Sequence, residues 1–216
     1  MKISRALMPV LLAAFYVLAL SLYARMPEPM VSHWNAGGIA DGYISRFWGM
    51  MLMPLMTTGL TLVLFFIPRI DPLKANIAKF RAAYDWFIVF LIGYMLYLYV
   101  LTLLWNLGTR FDILQVMVPA IAVPLFAAGL LVERARRNYF IGIRTPWTLS
   151  NDEVWMRTHR LGGLLFKIAA VITLLGVFWP GLAIWFILAP ILLVTVSLIV
   201  ASYVIFRDVT AGKNTV

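Results

Sequence analysis

Long apolar runs separated by short polar stretches set the pattern of this chain. Residues 6–24, 48–67, 86–107, 115–132, 161–179 and 182–206 are nearly free of charge. Each run is long enough to cross a hydrocarbon core of about 30 Å as a helix. The pattern predicts an all-α, polytopic membrane protein: six transmembrane helices in one membrane domain, residues 1–216. An outer loop covers 25–47, and inner loops cover 68–85 and 133–160. The first run has the character of a signal peptide. However, Arg25-Met-Pro-Glu after it offers no small-x-small cleavage site, so it is read as a retained span.

The polar stretches differ in kind. In the outer loop, Pro27 and Pro29 keep the chain extended, Gly37-Gly38 permits a bend, and Asp41-Gly42 signals a turn. His33, Trp34, Asn35, Asp41 and Tyr43 are its candidate contact residues. Two readings stand: an ordered turn seated on interfacial aromatics, or a ligand or metal site using His33 and Asp41. A metal usually takes three or four ligands, so no metal is assigned. In the inner segment, Asp71 is placed as an N-cap and Pro72 at the first helical position. Leu73, Ile77, Phe80 and Tyr84 then form an apolar stripe beside Lys74, Lys79 and Arg81, as expected of an amphipathic helix lying in the interface.

The longest mixed polar, aromatic and charged run is 139–160, YFIGIRTPWTLSNDEVWMRTHR. Thr145-Pro146 is expected to disfavour a helix. Ser150 and Glu153 have capping-box spacing, so a helix is placed from about Asn151. Asp152, Trp155 and His159 fall on one face of it, and Glu153 with Arg157 forms an i,i+4 pair. Arg144, Thr145, Pro146, Trp147, Asn151, Trp155 and His159 are the candidate residues here. The stretch is either a re-entrant plug or lid with solvated charges, or a docking surface anchored by Arg144 and His159. It forms a structured cytoplasmic loop in both readings.

Composition sharpens the membrane assignment. The chain is 63% hydrophobic and 12% charged, against about 25% charged in soluble domains. Its net charge of +9 follows topology. With the N-terminus inside, Lys2, Arg5, the basic residues of both inner loops, Arg207 and Lys213 share one side. Arg25, Arg46 and Arg110 lie on the other, a positive-inside bias. Both termini are thus expected to be cytoplasmic, in the cell membrane, with anionic lipid heads as partners and no direct nucleic-acid binding. The tail 207–216 is expected to fray.

Catalytic chemistry finds little support. Cysteine is absent, and so is any His-Glu-x-x-His pattern. On this topology His33 and His159 lie on opposite faces of the bilayer and cannot share a centre. A Ser150, His159, Asp152 triad lacks a nucleophile elbow, and Ser150 is assigned as a cap. No enzyme activity and no cofactor are expected. Lys167 is the one charge within the apolar runs, placed either to snorkel or to serve an ion path.

Three motifs are shared with a known family. P-x-x-S-H-W-N-x-x-G-x-x-D-G-Y (Pro29 to Tyr43), D-P-x-x-x-N (Asp71 to Asn76) and I-G-I-R-T-P-W-T-L-x-N-x-x-V-W-x-x-T-H (Ile141 to His159) resemble the SdpI family. The resemblance covers nearly the whole chain, and the last motif is the most specific. It implies a six-span immunity protein that protects toxin-producing cells from their secreted peptide toxin. It also implies a receptor role, in which a cytoplasmic transcriptional repressor is held at the membrane. It assigns no catalytic or ligand residue. The reading is therefore a membrane immunity and signalling protein, with a secreted peptide toxin on the outer face and a cytoplasmic regulator as expected partners. The alternative is a transporter or exporter of a small amphipathic molecule.

Overall fold

The computed structural model describes residues 2–35 and 37–212. Among the described residues six helices are long and apolar enough to cross a membrane: Ile3–Arg25, Arg46–Ile70, Arg81–Asn106, Gln115–Arg134, Asp152–Phe178 and Pro180–Ala211. Only 17% to 33% of each span's apolar window is buried within the chain. In water so much exposed apolar surface would aggregate, whereas in a bilayer it faces a solvent of its own polarity. The protein is a multi-pass membrane protein.

Two compact units divide the chain, Met1–Phe65 with Asp85–Ala120, and Phe66–Tyr84 with Ile121–Val216. The first contains α1 (Lys2–Leu22), a hairpin of β1 (Met30–Trp34) and β2 (Ala40–Ile44), most of α2 (Arg46–Ile70), most of α4 (Arg81–Asn106) and the start of α5 (Ile113–Arg134). Phe15 stacks on Tyr99, whose hydroxyl donates to the Met50 carbonyl at 2.9 Å. Arg5 reaches the buried Asp85 at 3.0 Å. Gly108, at φ 101°, lets the Thr109 N–H turn back onto the Leu104 carbonyl and closes α4.

The hairpin departs from the expectation of a turn-rich outer loop. Asp41 and Gly42 lie within β2 rather than at a turn, and β1 pairs antiparallel to β2 with irregularities around His33. An isolated two-stranded ribbon is marginal in water. Here the Asn106 side chain supplies a further strand edge, accepting from Val31 N–H at 2.8 Å and donating to Val31 C=O at 3.0 Å. Glu28 seats the other flank by accepting from the Arg46 N–H at 3.0 Å.

The second unit holds α3 (Lys74–Ala78), the end of α5, α6 (Pro146–Ser150), α7 (Asp152–Leu175) and α8 (Ala183–Ala211). Two 3₁₀ turns around Trp179-Pro180-Gly181 join α7 to α8, which pack antiparallel on Ala169, Val194 and Leu198. Gly129 and Gly163 bring α5 and α7 together: a Cβ on Gly163 would stand 2.7 Å from Glu133 Cβ and 3.0 Å from the Gly129 carbonyl. Of the tail, Arg207 to Ala211 continue α8, whereas 213–216, with Lys213, lie outside the described residues.

Three local expectations are corrected. Pro146 does not exclude a helix. At the first helical position its missing N–H costs nothing, and Thr145, at φ −100° and ψ 161°, caps α6 by accepting from Thr148 N–H. The capping box is therefore Thr145 with Thr148, not Ser150 with Glu153. Asn151 caps α7, and Ser150 donates to the Trp147 carbonyl. Finally, the inner segment is a single short helix, not a long interfacial one. Ile77, Phe80 and Tyr84 are buried in the protein, and Asp71, two residues ahead of the Leu73 cap position, accepts from Leu73 N–H at 2.6 Å.

Candidate functional site

The second unit folds residues 135–159 into a knot in which nearly every polar group has a partner. It begins at buried Asn138, whose side chain uses all four of its hydrogen bonds. Oδ1 accepts from Phe140 N–H at 2.9 Å and Ile141 N–H at 2.6 Å, and Nδ2 donates to the Arg136 and Ile141 carbonyls at 2.8 and 2.9 Å. Two residues of the D-P-x-x-x-N motif hold the outside of this turn. Asp71 Oδ2 accepts from Tyr139 N–H at 2.9 Å, and Asn76 Nδ2 donates to the Arg137 carbonyl at 2.9 Å. Amide and carboxylate side chains here do for an irregular backbone what water does in a soluble loop.

The chain then turns at Gly142, whose φ of 117° few side-chain-bearing residues adopt. A Cβ at Gly142 would also collide with His159 Nε2. That close approach lets Ile143 N–H donate to His159 Nε2 at 3.0 Å. Because Nε2 accepts, the ring proton sits on Nδ1, which donates to the Trp155 carbonyl at 2.8 Å. The imidazole is thus a neutral spacer between loop and helix. It stacks on Trp155 at 3.8 Å between centroids, and the Trp155 indole N–H donates to the Ala135 carbonyl at 3.0 Å. Thr148 accepts from Thr145 N–H and donates to the Ile143 carbonyl at 2.8 Å, and Trp147 packs on Tyr203 of α8 at 5.2 Å.

Trp155 and His159 are each 1% exposed and sit inside the knot rather than on its surface. The exposed rim is Tyr139, Phe140, Arg144 (bonded to the Tyr139 carbonyl at 2.9 Å), Pro146 and Met156. Arg137 donates to the Leu149 carbonyl and lies 2.8 Å from an Asp152 carboxylate oxygen. That second contact is one of charge, without the alignment of a hydrogen bond. Ser150 and His159 are hydrogen-bonded to Trp147 and Ile143, and Asp152 is ion-paired with Arg137, rather than any of them to one another. Lys167, the one charge within the apolar runs, donates to Glu133 on α5 at 2.9 Å.

The outer-loop candidates gather separately in the first unit. His33 Nδ1 and Asp41 share a 2.6 Å hydrogen bond across the hairpin, both exposed. No cluster of three or more His, Cys, Asp or Glu side chains stands anywhere among the described residues. Asn35 caps the hairpin bend by accepting from Gly37 and Ile39 N–H, and Tyr43 is exposed. Trp34 packs edge-on to Trp105. With Asn35, Met53, Leu98, Thr102 and Met117 it lines a cavity of about 340 Å³.

Sequence reasoning missed Asn138, Asn106 and Thr148, and gave Asp71 only its local role. An asparagine ending an apolar span, or following three basic residues, was the available signal.

The SdpI/YfhL protein family model matches residues 134–205, from the start of the knot through most of α8. A domain of unknown function, DUF1648, matches residues 10–58, which hold the latter part of α1, the hairpin and the first half of α2. Over 201 residues the chain is 24% identical to Immunity protein SdpI of Bacillus subtilis (strain 168), covering 92% of this chain and 93% of that one. The chain is thus similar to the SdpI family, by its model over residues 134–205 and by this relative along nearly the whole length. No solved structure matches it. The SdpI/YfhL match contains the whole I-G-I-R-T-P-W-T-L segment and both buried rings that hold it. The region that the family model matches is thus the one that encodes the knot.

Proposed function

We propose that this SdpI-family protein is a membrane immunity protein that intercepts a secreted peptide at its hairpin face and relays occupancy to a cytoplasmic regulator. The observation that carries the reading is the similarity to Immunity protein SdpI along 92% of the chain. Two features support the division of labour. The hairpin presents His33, Asp41 and Tyr43 beside a largely apolar cavity, a surface suited to an amphipathic peptide with apolar side chains. The knot presents a rigid rim of Tyr139, Phe140 and Arg144, residue types favoured at docking surfaces. In this reading the basic knot and both termini face the cytoplasm, which the distribution of Lys and Arg supports, and the protein has no catalytic role.

The test is complementation. A Bacillus subtilis strain lacking its Immunity protein SdpI is given this chain, and survival is counted in toxin-producing culture. Restored survival is expected. Unchanged killing at verified membrane levels overturns the immunity reading. Arg144→Ala with Tyr139→Ala is expected to spare survival and to release a membrane-held regulator; retention of the regulator overturns the docking role.

A further inference from the structure

Beside the knot, a cleft of about 300 Å³ opens between α3, the turn after α5 and the start of α7. Lys79, Arg136 and Arg137 line it against a single carboxylate, Asp152, with Asn76, Trp155 and Met156 completing the wall. Three cations facing one anion leave two positive charges in surplus, and the structure shows which two. Arg137 is matched by Asp152. Lys79 contacts only the neutral Asn76 side-chain oxygen at 3.0 Å, and Arg136 only the Met156 sulfur at 3.4 Å. Neither has a carboxylate within ion-pair distance among the described residues. A guanidinium held against a thioether keeps its hydrogen-bonding fork unused, and forks of this kind take the oxygens of a phosphate group two at a time. The cleft also lies where α5 ends and α7 begins, at the level of the helix termini, and basic pockets of this kind in membrane proteins bind phospholipid heads.

We propose that this cleft is a binding site for one anionic phosphate group, that of a phospholipid head or free phosphate, with Lys79 and Arg136 as its ligands and Arg137 held in place by Asp152. The site differs from a diffuse basic surface in having two specific cations and a walled volume. Arg157 and Arg160 are exposed on α7 outside the cleft and serve as the contrast.

The experiment is native mass spectrometry of the full-length protein in neutral detergent. It is titrated with phosphatidylglycerol, with phosphatidylcholine, and separately with inorganic phosphate. One phosphatidylglycerol is expected to be retained roughly tenfold more tightly than phosphatidylcholine. A Lys79→Gln/Arg136→Gln variant should lose that preference, and Arg157→Gln/Arg160→Gln, which removes equal charge, should keep it. Both Lys79 and Arg136 are exposed side chains, and an unchanged thermal midpoint verifies that the cleft variant folds. Retention of phosphatidylglycerol that inorganic phosphate does not displace assigns the site to a lipid head. Phosphate binding that the cleft variant alone loses, without lipid preference, assigns it to the free anion. Equal retention of the two lipids with no phosphate binding overturns the proposal, as does equal loss in both double variants.

Discussion

Replacing Gly142 with alanine should cost more than a glycine in a loop normally does, and the excess should vanish when His159 is also removed. Two terms enter. The backbone at φ 117° strains any side-chain-bearing residue by about 1–2 kcal/mol. The new Cβ also lands on His159 Nε2 and Cδ2, an overpacking worth about 1–3 kcal/mol. Gly142→Ala alone is thus expected to cost about 2–5 kcal/mol. His159→Ala removes a ring stacked on Trp155, worth about 0.5–1.5 kcal/mol. It also leaves the Ile143 N–H without its acceptor, at about 1–3 kcal/mol. In the double variant the alanine at 142 meets empty space where the imidazole was, so only the backbone strain remains of the first cost. The double variant should therefore be more stable than the sum of the singles by about 1–3 kcal/mol. Denaturant unfolding in detergent micelles, followed by tryptophan fluorescence, measures all four corners of the cycle. Additivity within about 0.5 kcal/mol would refute the reasoning, because it would mean that loop and ring do not meet.

Asn106→Leu should free the hairpin edge by removing both bonds to Val31. Hydrogen exchange at the β1 amides is expected to accelerate at least tenfold while the spans stay protected, and unchanged protection would exclude the clamp. Gly163→Leu should lower the thermal midpoint more than Gly181→Leu, since a Cβ at 163 meets Glu133 and the Gly129 carbonyl whereas one at 181 meets nothing. Equal midpoints would remove the close approach of α5 and α7. His33→Ala should change stability by less than about 1 kcal/mol, because its bond to Asp41 is exposed. Any larger fall in thermal midpoint would contradict the exposed geometry.

Hydropathy made the six spans legible, because crossing a bilayer demands length and apolarity in one segment, and both are local properties. Hydropathy alone put the fifth span at 161–179, but capping put a helix from about Asn151, and α7 does begin at Asp152 and runs unbroken into the apolar run. The rule against helix near proline failed at Pro146 because position, not presence, decides the cost. Trp155 and His159 were correctly placed on one face, but their burial was not legible. It depends on Ala135 and Ile143, distant in sequence and brought near by the Gly142 turn. The β-hairpin was hidden for the same reason: its stabilising partner, Asn106, follows Val31 by 75 residues. Asp71 was read as a cap, yet its second oxygen serves Tyr139, 68 residues on.

The two buried rings also set a timetable for synthesis. The Ala135 carbonyl waits for an indole encoded 20 residues later, and the Ile143 amide for an imidazole 16 residues later. Until α7 has been made, the segment that follows α5 therefore has an acceptor and a donor without their mates in the chain. A chain truncated between residues 143 and 155 and released from the ribosome should expose this segment to protease, whereas the full chain should protect it.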